Sequence, residues 1–274
     1  MAHFIVVPQW QGSPSPRAMS LIDGAELIAG DLPSSVSHRV EVPVEAGESL
    51  DTGILRASTL RRVAQRTREE LEAFPGERLI VIGGDSGVAV PAIAHAASEA
   101  GDVAVVWFSA RGSLHTPESS PTGAFAGMAL RAAMGEAPEG LGAPAGAVTP
   151  DRIVIVGARD LDIAEELFAT DSGIRTLAVA EVAERIAEAL AQTGAARAYV
   201  HIDLDVIDPA HFEGVSSPQP FGLDPTALVA AIAAIRDRMP LAGASIAGFA
   251  PRSADAGVAD MGTILRVIGA LAKA

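Results

Sequence analysis

The sequence predicts an α/β protein with a mostly parallel central sheet. Along its 274 residues, short apolar runs bounded by turn residues alternate with segments of helical period. Most of the apolar runs lack the apolar–polar alternation of a half-exposed strand, as expected when helices cover both faces of the sheet. Together these observations indicate repeated strand–helix units.

The predicted strands follow one another along the whole chain. They cover residues 3–7, 79–82, 103–108, 152–156, 176–179, 198–203 and 244–248. The glycine- and proline-rich segment 135–150 interrupts this pattern, but strand signals continue on both sides of it. We therefore interpret it as a surface loop and predict a single domain, residues 1–274.

Two helices are indicated most clearly. In "DPTALVAAIAAIRDRM", Asp224 is suited to cap a helix and Pro225 to occupy its first turn. The apolar face of this helix is formed by Leu228, Ile232, Ile235 and Met239. The same spacing recurs at Val182, Ile186 and Leu190.

Composition excludes several classes of function. With 20 basic and 34 acidic residues the net charge is −14, which repels a phosphate backbone, so nucleic acid is not an expected partner. The absence of cysteine excludes disulfides, thiolate nucleophiles and cysteine-based zinc sites. The longest apolar run, 227–235, is too short to cross a bilayer, and "MAHFIVVPQW" lacks the basic region of a signal peptide. We expect a cytoplasmic protein that does not bind membranes.

Ligands of open parallel sheets bind at the carboxyl ends of the strands. One such end reads "VIGGDSGVAV", in which Gly83 and Gly84 allow a tight turn, Asp85 lies at its tip and Ser86 is suited to cap a helix. This pattern also fits a strand-to-helix turn with no further function.

A second strand end, "HIDLDVIDP", is more specific. Asp203 and Asp205 are two positions apart, so their side chains project to the same side of the strand with Cα atoms about 6.6 Å apart. Two carboxylates placed together are costly unless a cation joins them. A divalent metal is the usual partner; an arginine, a water molecule or capping of the turn at Asp208 is the alternative.

Together with "SARGSLHTPESSPTGAF" and "IVIVGARDLD", these motifs resemble the ureohydrolase family of arginases, agmatinases and formiminoglutamases. The matching positions are Gly83, Gly84, Asp85, Ala110, Thr116, Pro117, Gly123, Gly127, Gly157, Arg159, Asp203, Asp205, Asp208 and Pro209. The resemblance implies a three-layer α/β/α sandwich around a sheet of about eight strands. It also implies trimers or hexamers and two manganese ions that activate a bridging hydroxide.

The chain departs from the family at most of the implied metal ligands. Serine or arginine stands at four of the six ligand positions: Ser86, Ser109, Arg111 and Ser113. Only Asp203 and Asp205 remain, and these are the residual metal candidates. Three substrate-side positions also differ: Ala126 replaces a histidine, Gly248 a glutamate and His115 an asparagine.

These departures predict that the dinuclear site is lost and that the protein has no metal cofactor. Serine does not neutralise a divalent charge at neutral pH. Asp85, His115 and His201 are further candidates for lining the cleft. For both histidines, a structural role is favoured over binding a metal. We expect Arg111 to bind Asp203, Asp205 or both in place of the lost cations.

The favoured hypothesis is a catalytically inactive member of the family that binds a small-molecule ligand or assembles with an active homologue as a regulatory subunit. The alternative is a hydrolase of a linear guanidino or amidino C–N bond that uses one metal or none. A third interpretation is that the ligands were lost by drift or by design in an otherwise catalytic lineage. A homo-oligomer is expected from the resemblance alone.

Overall fold

The computed structural model describes residues 2–273 as eight strands and eight α-helices. The strands are β1 Ala2–Val7, β2 Ser37–Arg39, β3 Arg78–Gly83, β4 Val103–Phe108, β5 Ile153–Val156, β6 Arg175–Leu177, β7 Arg197–Asp203 and β8 Leu241–Ala247. The helices are α1 Ser20–Gly30, α2 Ala57–Glu72, α3 Ala89–Ala100, α4 Ala129–Ala133, α5 Ile163–Asp171, α6 Val182–Ala191, α7 Pro225–Arg238 and α8 Ala254–Ala272.

The strands form one sheet in the order β2-β1-β3-β8-β7-β4-β5-β6, and every pairing between them is parallel. This confirms the predicted α/β class and the sheet of about eight strands. Each predicted strand overlaps an observed one. The prediction omitted β2, a three-residue edge strand of sequence Ser-His-Arg that carries no apolar run.

Helices cover both faces of the sheet. On one face α1, α6, α7 and α8 pack against side chains such as Val106 and Val200. On the other face α2, α3, α4 and α5 pack against side chains such as Val105 and Val81. Neighbouring strand residues thus enter opposite cores, which explains why the strand sequences are apolar without alternation.

The two helices predicted most clearly are confirmed. The α7 helix begins after Asp224, whose carboxylate accepts a hydrogen bond of 2.6 Å from the backbone N–H of Thr226. Its apolar face is buried through Leu228, Ile232 and Ile235. Among the described residues, no helix has both the length and the apolar character needed to cross a membrane.

The four central strands β3, β8, β7 and β4 end at the same edge of the sheet, because all four run in parallel. Asp203 is the last residue of β7, and the segments that follow β3, β8 and β4 carry Asp85, Gly248 and Ser109. The sheet therefore brings the segments that the sequence singled out to one place.

Candidate functional site

A cavity of about 490 Å³ opens at the carboxyl ends of the strands. Its lining includes ten of the eleven positions that the sequence indicated: Asp85, Ser86, Ser109, Arg111, Ser113, His115, Ala126, Asp203, Asp205 and Gly248. The loop that follows β5 supplies Asp160 and Asp162 to the same cavity, and the first turn of α5 supplies Glu165.

The eleventh position, His201, is not part of the cavity lining, so its assignment to the cleft is corrected. Its side chain is fully buried inside the sheet layer, where the imidazole stacks on Trp107 with 3.8 Å between ring centroids. Its Nδ1 lies 2.8 Å from the Ser245 hydroxyl. His201 shares the side of β7 that carries Asp203, but it lies two residues further from the strand's end and is covered there.

Asp205 is a buried carboxylate that accepts three hydrogen bonds. Its Oδ1 accepts hydrogen bonds from the Ala110 backbone N–H at 2.8 Å and from the Ser109 hydroxyl at 3.1 Å. Its Oδ2 accepts one from Arg111 Nη1 at 2.9 Å. Burial, reinforced by the charge of Asp203, raises the pKa of Asp205 to about 7, and Arg111 opposes this rise.

Arg111 binds Asp205 and two groups from other loops. Its Nε lies 3.2 Å from Asp160 Oδ2, and its Nη2 donates to the Ser217 hydroxyl at 2.9 Å. The expected ion pair between Arg111 and Asp205 is therefore observed. Arg111 does not bind Asp203 and Asp205 together, because its three guanidinium nitrogens contact Asp205, Asp160 and Ser217.

Asp203 is held by the residues around it instead of by Arg111. The Ser86 hydroxyl donates to its Oδ2 at 2.6 Å, and the backbone N–H of Asp205 donates to its Oδ1 at 3.2 Å. Ser86 and Ser109 thus each donate a hydroxyl hydrogen bond to one of the two remaining aspartates.

Asp85 fixes the backbone beneath the cavity. Its buried carboxylate accepts three hydrogen bonds of 2.9 Å, from the Gln9 side-chain amide and from the backbone N–H groups of Gly12 and Gly87. Burial raises the pKa of Asp85 to about 6, and the three donors oppose that rise. The three bonds tie the loop after β1 to the turn after β3.

Gly248 has a conformation that suits only glycine. Its φ is +88°, and a Cβ atom at this position would lie 2.3 Å from Asp203 Oδ1. A side chain here meets both backbone strain and a collision with a site carboxylate. The wall of the cavity at Gly248 is therefore bare backbone.

The pair of manganese ions implied by the family does not fit these residues. Ser86 and Ser109 bring neutral hydroxyls that donate protons to the aspartates, and a permanently charged guanidinium lies 2.9 Å from Asp205. A divalent ion at Asp205 would be repelled by that guanidinium, and too few anionic ligands remain to hold two ions.

A second group of ligand-type side chains lies at another part of the cavity. His115 Nε2 is 3.4 Å from Asp162 Oδ2 and 3.9 Å from Glu165 Oε2. Asp162 and Glu165 also form a capping box at the start of α5, in which each side chain accepts a hydrogen bond from the other's backbone. Sequence reasoning missed both acids, although the Asp-x-x-Glu spacing in "DIAE" is the signal of such a box.

The chain matches a sequence model of the arginase family over residues 22–266. The chain belongs to the arginase family.

Curated arginases align with part of the chain. The arginase of Staphylococcus aureus strain MRSA252 is 30% identical over 191 residues, which cover 64% of this chain and 62% of that arginase. The arginase of Bacillus caldovelox is 29% identical over 201 residues, 67% of each chain. The alignment thus spans less than two thirds of the length of the Staphylococcus relative.

Solved structures of arginase-family members share the fold over the full chain. The arginase of Entamoeba histolytica in complex with L-ornithine superimposes with a TM-score of 0.86 at 23% identity, covering 100% of this chain and 98% of that one. The formimidoylglutamase of Bacillus subtilis gives 0.76 at 18% identity, covering 100% and 87%. At these identities the likeness establishes the arginase-like three-layer fold.

The expectation of a protein without any metal cofactor is wrong for this arginase-family chain. The ligand atoms of His115, Asp162 and Glu165 all lie within 4.8 Å of one another, which is close enough to hold a metal ion. The expectation failed because a structural role was favoured for His115 over metal ligation and because Asp162 and Glu165 were not considered; all three residues lie outside the family's ligand positions.

Proposed function

We propose that this arginase-family protein has lost the manganese-dependent hydrolysis of guanidino and amidino bonds and acts as a ligand-binding, regulatory member of the family. The observation that carries the proposal is the hydrogen bond of 2.9 Å from Arg111 Nη1 to Asp205 Oδ2. It supplies a positive charge at the position where the resemblance implies a metal ligand.

The chemistry of hydrolysis explains why this contact matters. Attack on a guanidino carbon at neutral pH needs a hydroxide, which a metal provides by lowering the pKa of its bound water. At the former dinuclear position, the hydroxyls of Ser86 and Ser109 and the guanidinium of Arg111 are poor substitutes for anionic ligands. A cleft altered in this way retains the shape of a ligand site without its reactive centre.

The charges lining the cavity favour a small cationic or zwitterionic ligand. Asp160 and Asp162 line it with about half of each side chain exposed, and Asp203 lines it as well. Arg111 is already bound to Asp160 and Asp205. An ammonium or amidinium group therefore meets carboxylate oxygens on entering, whereas a dianion meets repulsion.

The test of the lost activity is urea release from L-arginine and agmatine in the presence of Mn²⁺, with the Bacillus caldovelox arginase as positive control. We expect no urea above the rate without protein. Urea release that is proportional to protein concentration would overturn the proposal.

Ligand binding is tested separately by calorimetry with L-ornithine, L-arginine and agmatine, with succinate as the anionic control. We expect saturable binding of at least one amine and none of succinate. Binding of succinate alone would contradict the assigned charge preference.

A second candidate function is hydrolysis of a C–N bond with a single metal ion. The cluster of His115, Asp162 and Glu165 is the observation that favours it. It ranks second because the Arg111–Asp205 pair opposes metal-dependent hydrolysis at the position where the resemblance implies the manganese ligands. Urea or ammonia release that needs one equivalent of metal and disappears in His115→Asn would favour this candidate.

The resemblance also supports a homo-oligomer, either a trimer or a hexamer. We propose that each chain forms one domain. Light scattering at micromolar concentration tests the assembly, and a monomer would contradict it. A single cooperative unfolding transition is expected for one domain.

A further inference from the structure

We infer that His115, Asp162 and Glu165 form a site for one first-row divalent cation, at a position distinct from the family's dinuclear centre. One imidazole and two carboxylates are the donors that borderline cations such as Zn²⁺ accept. This inference does not rest on the proposed function, because the site stands whether or not the chain hydrolyses anything.

The distances suit a single ion. Ligand atoms bonded at about 2.0–2.2 Å to a tetrahedral ion lie roughly 3.3–3.6 Å apart. The separation of 3.4 Å between His115 Nε2 and Asp162 Oδ2 falls in this range, and the 3.9 Å to Glu165 Oε2 requires only a small movement. Asp162 is about half exposed, so its carboxylate has the freedom to adjust.

Neighbouring groups hold the two buried ligands in place. Glu165 Oε1 accepts a hydrogen bond of 3.0 Å from the Leu114 backbone N–H, and His115 Nδ1 lies 3.2 Å from the Ser119 hydroxyl. A hydrogen bond at Nδ1 leaves Nε2 as the nitrogen that faces the two acids. Outer partners of this kind orient metal ligands in natural sites.

Burial and access support the same conclusion. His115 is 8% exposed and Glu165 is 5% exposed, so their polar atoms are largely withdrawn from bulk water. A buried carboxylate beside a second carboxylate is costly without a cation. All three side chains line the cavity of about 490 Å³, so water or a ligand can complete the coordination shell from that side.

The test is Zn²⁺ binding to tag-free, chelator-treated full-length protein, measured by calorimetry and by competition with a chromogenic chelator. We expect one saturable equivalent. Its affinity should fall more than about tenfold in His115→Asn and in Asp162→Asn. Asparagine is also a good capping residue, so Asp162→Asn leaves the start of α5 intact.

Two control variants make the result specific. His211→Asn removes an exposed histidine that lies 3.6 Å from Asp224, and it should leave Zn²⁺ affinity unchanged. Asp203→Asn should also leave it unchanged, because Asp203 belongs to the former metal position. Circular dichroism of each variant without metal confirms that it is folded.

The outcomes separate cleanly. An anomalous diffraction peak at the zinc edge between the three side chains, together with the losses described, supports the site. Absence of saturable binding by the natural sequence would overturn it. Binding that survives in both His115→Asn and Asp162→Asn, or that is lost in Asp203→Asn, would also overturn it.

Discussion

Arg111 and Asp205 form a half-buried ion pair, with a hydrogen bond of 2.9 Å from Nη1 to Oδ2. The Asp205 side chain is only 7% exposed, whereas that of Arg111 is 35% exposed. The acid has therefore exchanged water for protein donors, while the guanidinium keeps part of its hydration. Asp203 takes its hydrogen bonds from Ser86 and from the Asp205 backbone. One arginine thus compensates one of the two remaining aspartates.

Arg111→Ala should lower the free energy of unfolding at pH 8 by about 1–3 kcal/mol. This is less than the loss for a fully buried pair, because water can reach the site. Urea denaturation measures the change. The cost should shrink in an Asp205→Asn background, since the two residues are coupled. Arg185→Ala, which removes an exposed pair with Glu181, is the control and should cost about 0.5 kcal/mol or less. Equal costs for the two arginine variants would contradict the assigned role.

The contribution of Asp205 to stability should depend on pH. Its pKa is raised from 3.8 to about 7, mainly by burial, so the folded state holds the proton more tightly than the unfolded state does. The resulting stabilisation is present below pH 4 and is lost as the pH rises through 7. The free energy of unfolding of the natural sequence, relative to Asp205→Asn, should therefore fall by roughly 2–3 kcal/mol between pH 5 and pH 8.

Asp208→Asn is the matched control for this pH dependence. The Ala210 backbone N–H holds the pKa of Asp208 below its usual value, so this acid is ionised at both pH values. Its contribution should be the same at pH 5 and pH 8. A flat difference for Asp205→Asn as well would show that Asp205 is ionised throughout.

Gly248→Ala should destabilise the protein more than Gly76→Ala does. Both glycines have positive φ, +88° and +74°, so both variants carry the strain of a left-handed residue, about 1–2 kcal/mol. Only at Gly248 does the new Cβ meet another atom, Asp203 Oδ1 at 2.3 Å, whereas the space around Gly76 is open. Thermal unfolding of the two variants measures the difference. Equal losses would mean that Asp203 moves aside freely.

Asp85→Asn should cost about 1–3 kcal/mol in the free energy of unfolding. Asn has one acceptor oxygen, so its amide NH₂ must face at least one of the three donors Gln9, Gly12 and Gly87. Asp102→Asn, which alters an exposed pair with Arg152, should cost much less. Chemical denaturation of both variants makes the comparison, and similar costs would contradict the anchoring role of Asp85.

Most of the sheet could be predicted from the sequence, because strands buried on both faces read as continuous apolar runs. Val103–Phe108 was predicted with its observed bounds for this reason. The edge strand Ser37–Arg39 could not be found this way, because it pairs on one side only and its residues are polar and partly exposed. Whether so short a segment forms a strand depends on its pairing with β1, which the sequence of the segment does not reveal.

The site was predictable where residues follow a strand and less so where they lie in loops. Arg111 was expected in the cleft because it stands at a position where the resemblance implies a metal ligand. That its guanidinium contacts Asp205, Asp160 and Ser217 together could not be predicted, because Asp160 and Ser217 lie in irregular loops. Asp162 and Glu165 were missed because their spacing indicates only a helix cap. It does not indicate that His115, which is distant in sequence, lies beside them. His201 was wrongly expected to line the cleft, because the sequence does not reveal that its side chain lies buried below the edge of the sheet.

The position of β8 bears on how the protein is made. Within the sheet, β2, β1 and β3 lie on one side of β8, and β7, β4, β5 and β6 lie on the other. During synthesis on the ribosome, both sides emerge before residues 241–247 can insert between them. The walls of the cavity that come from the loops after β3 and β7 therefore meet late in translation. Until then, each nascent part exposes an unpaired strand edge of the kind that chaperones protect.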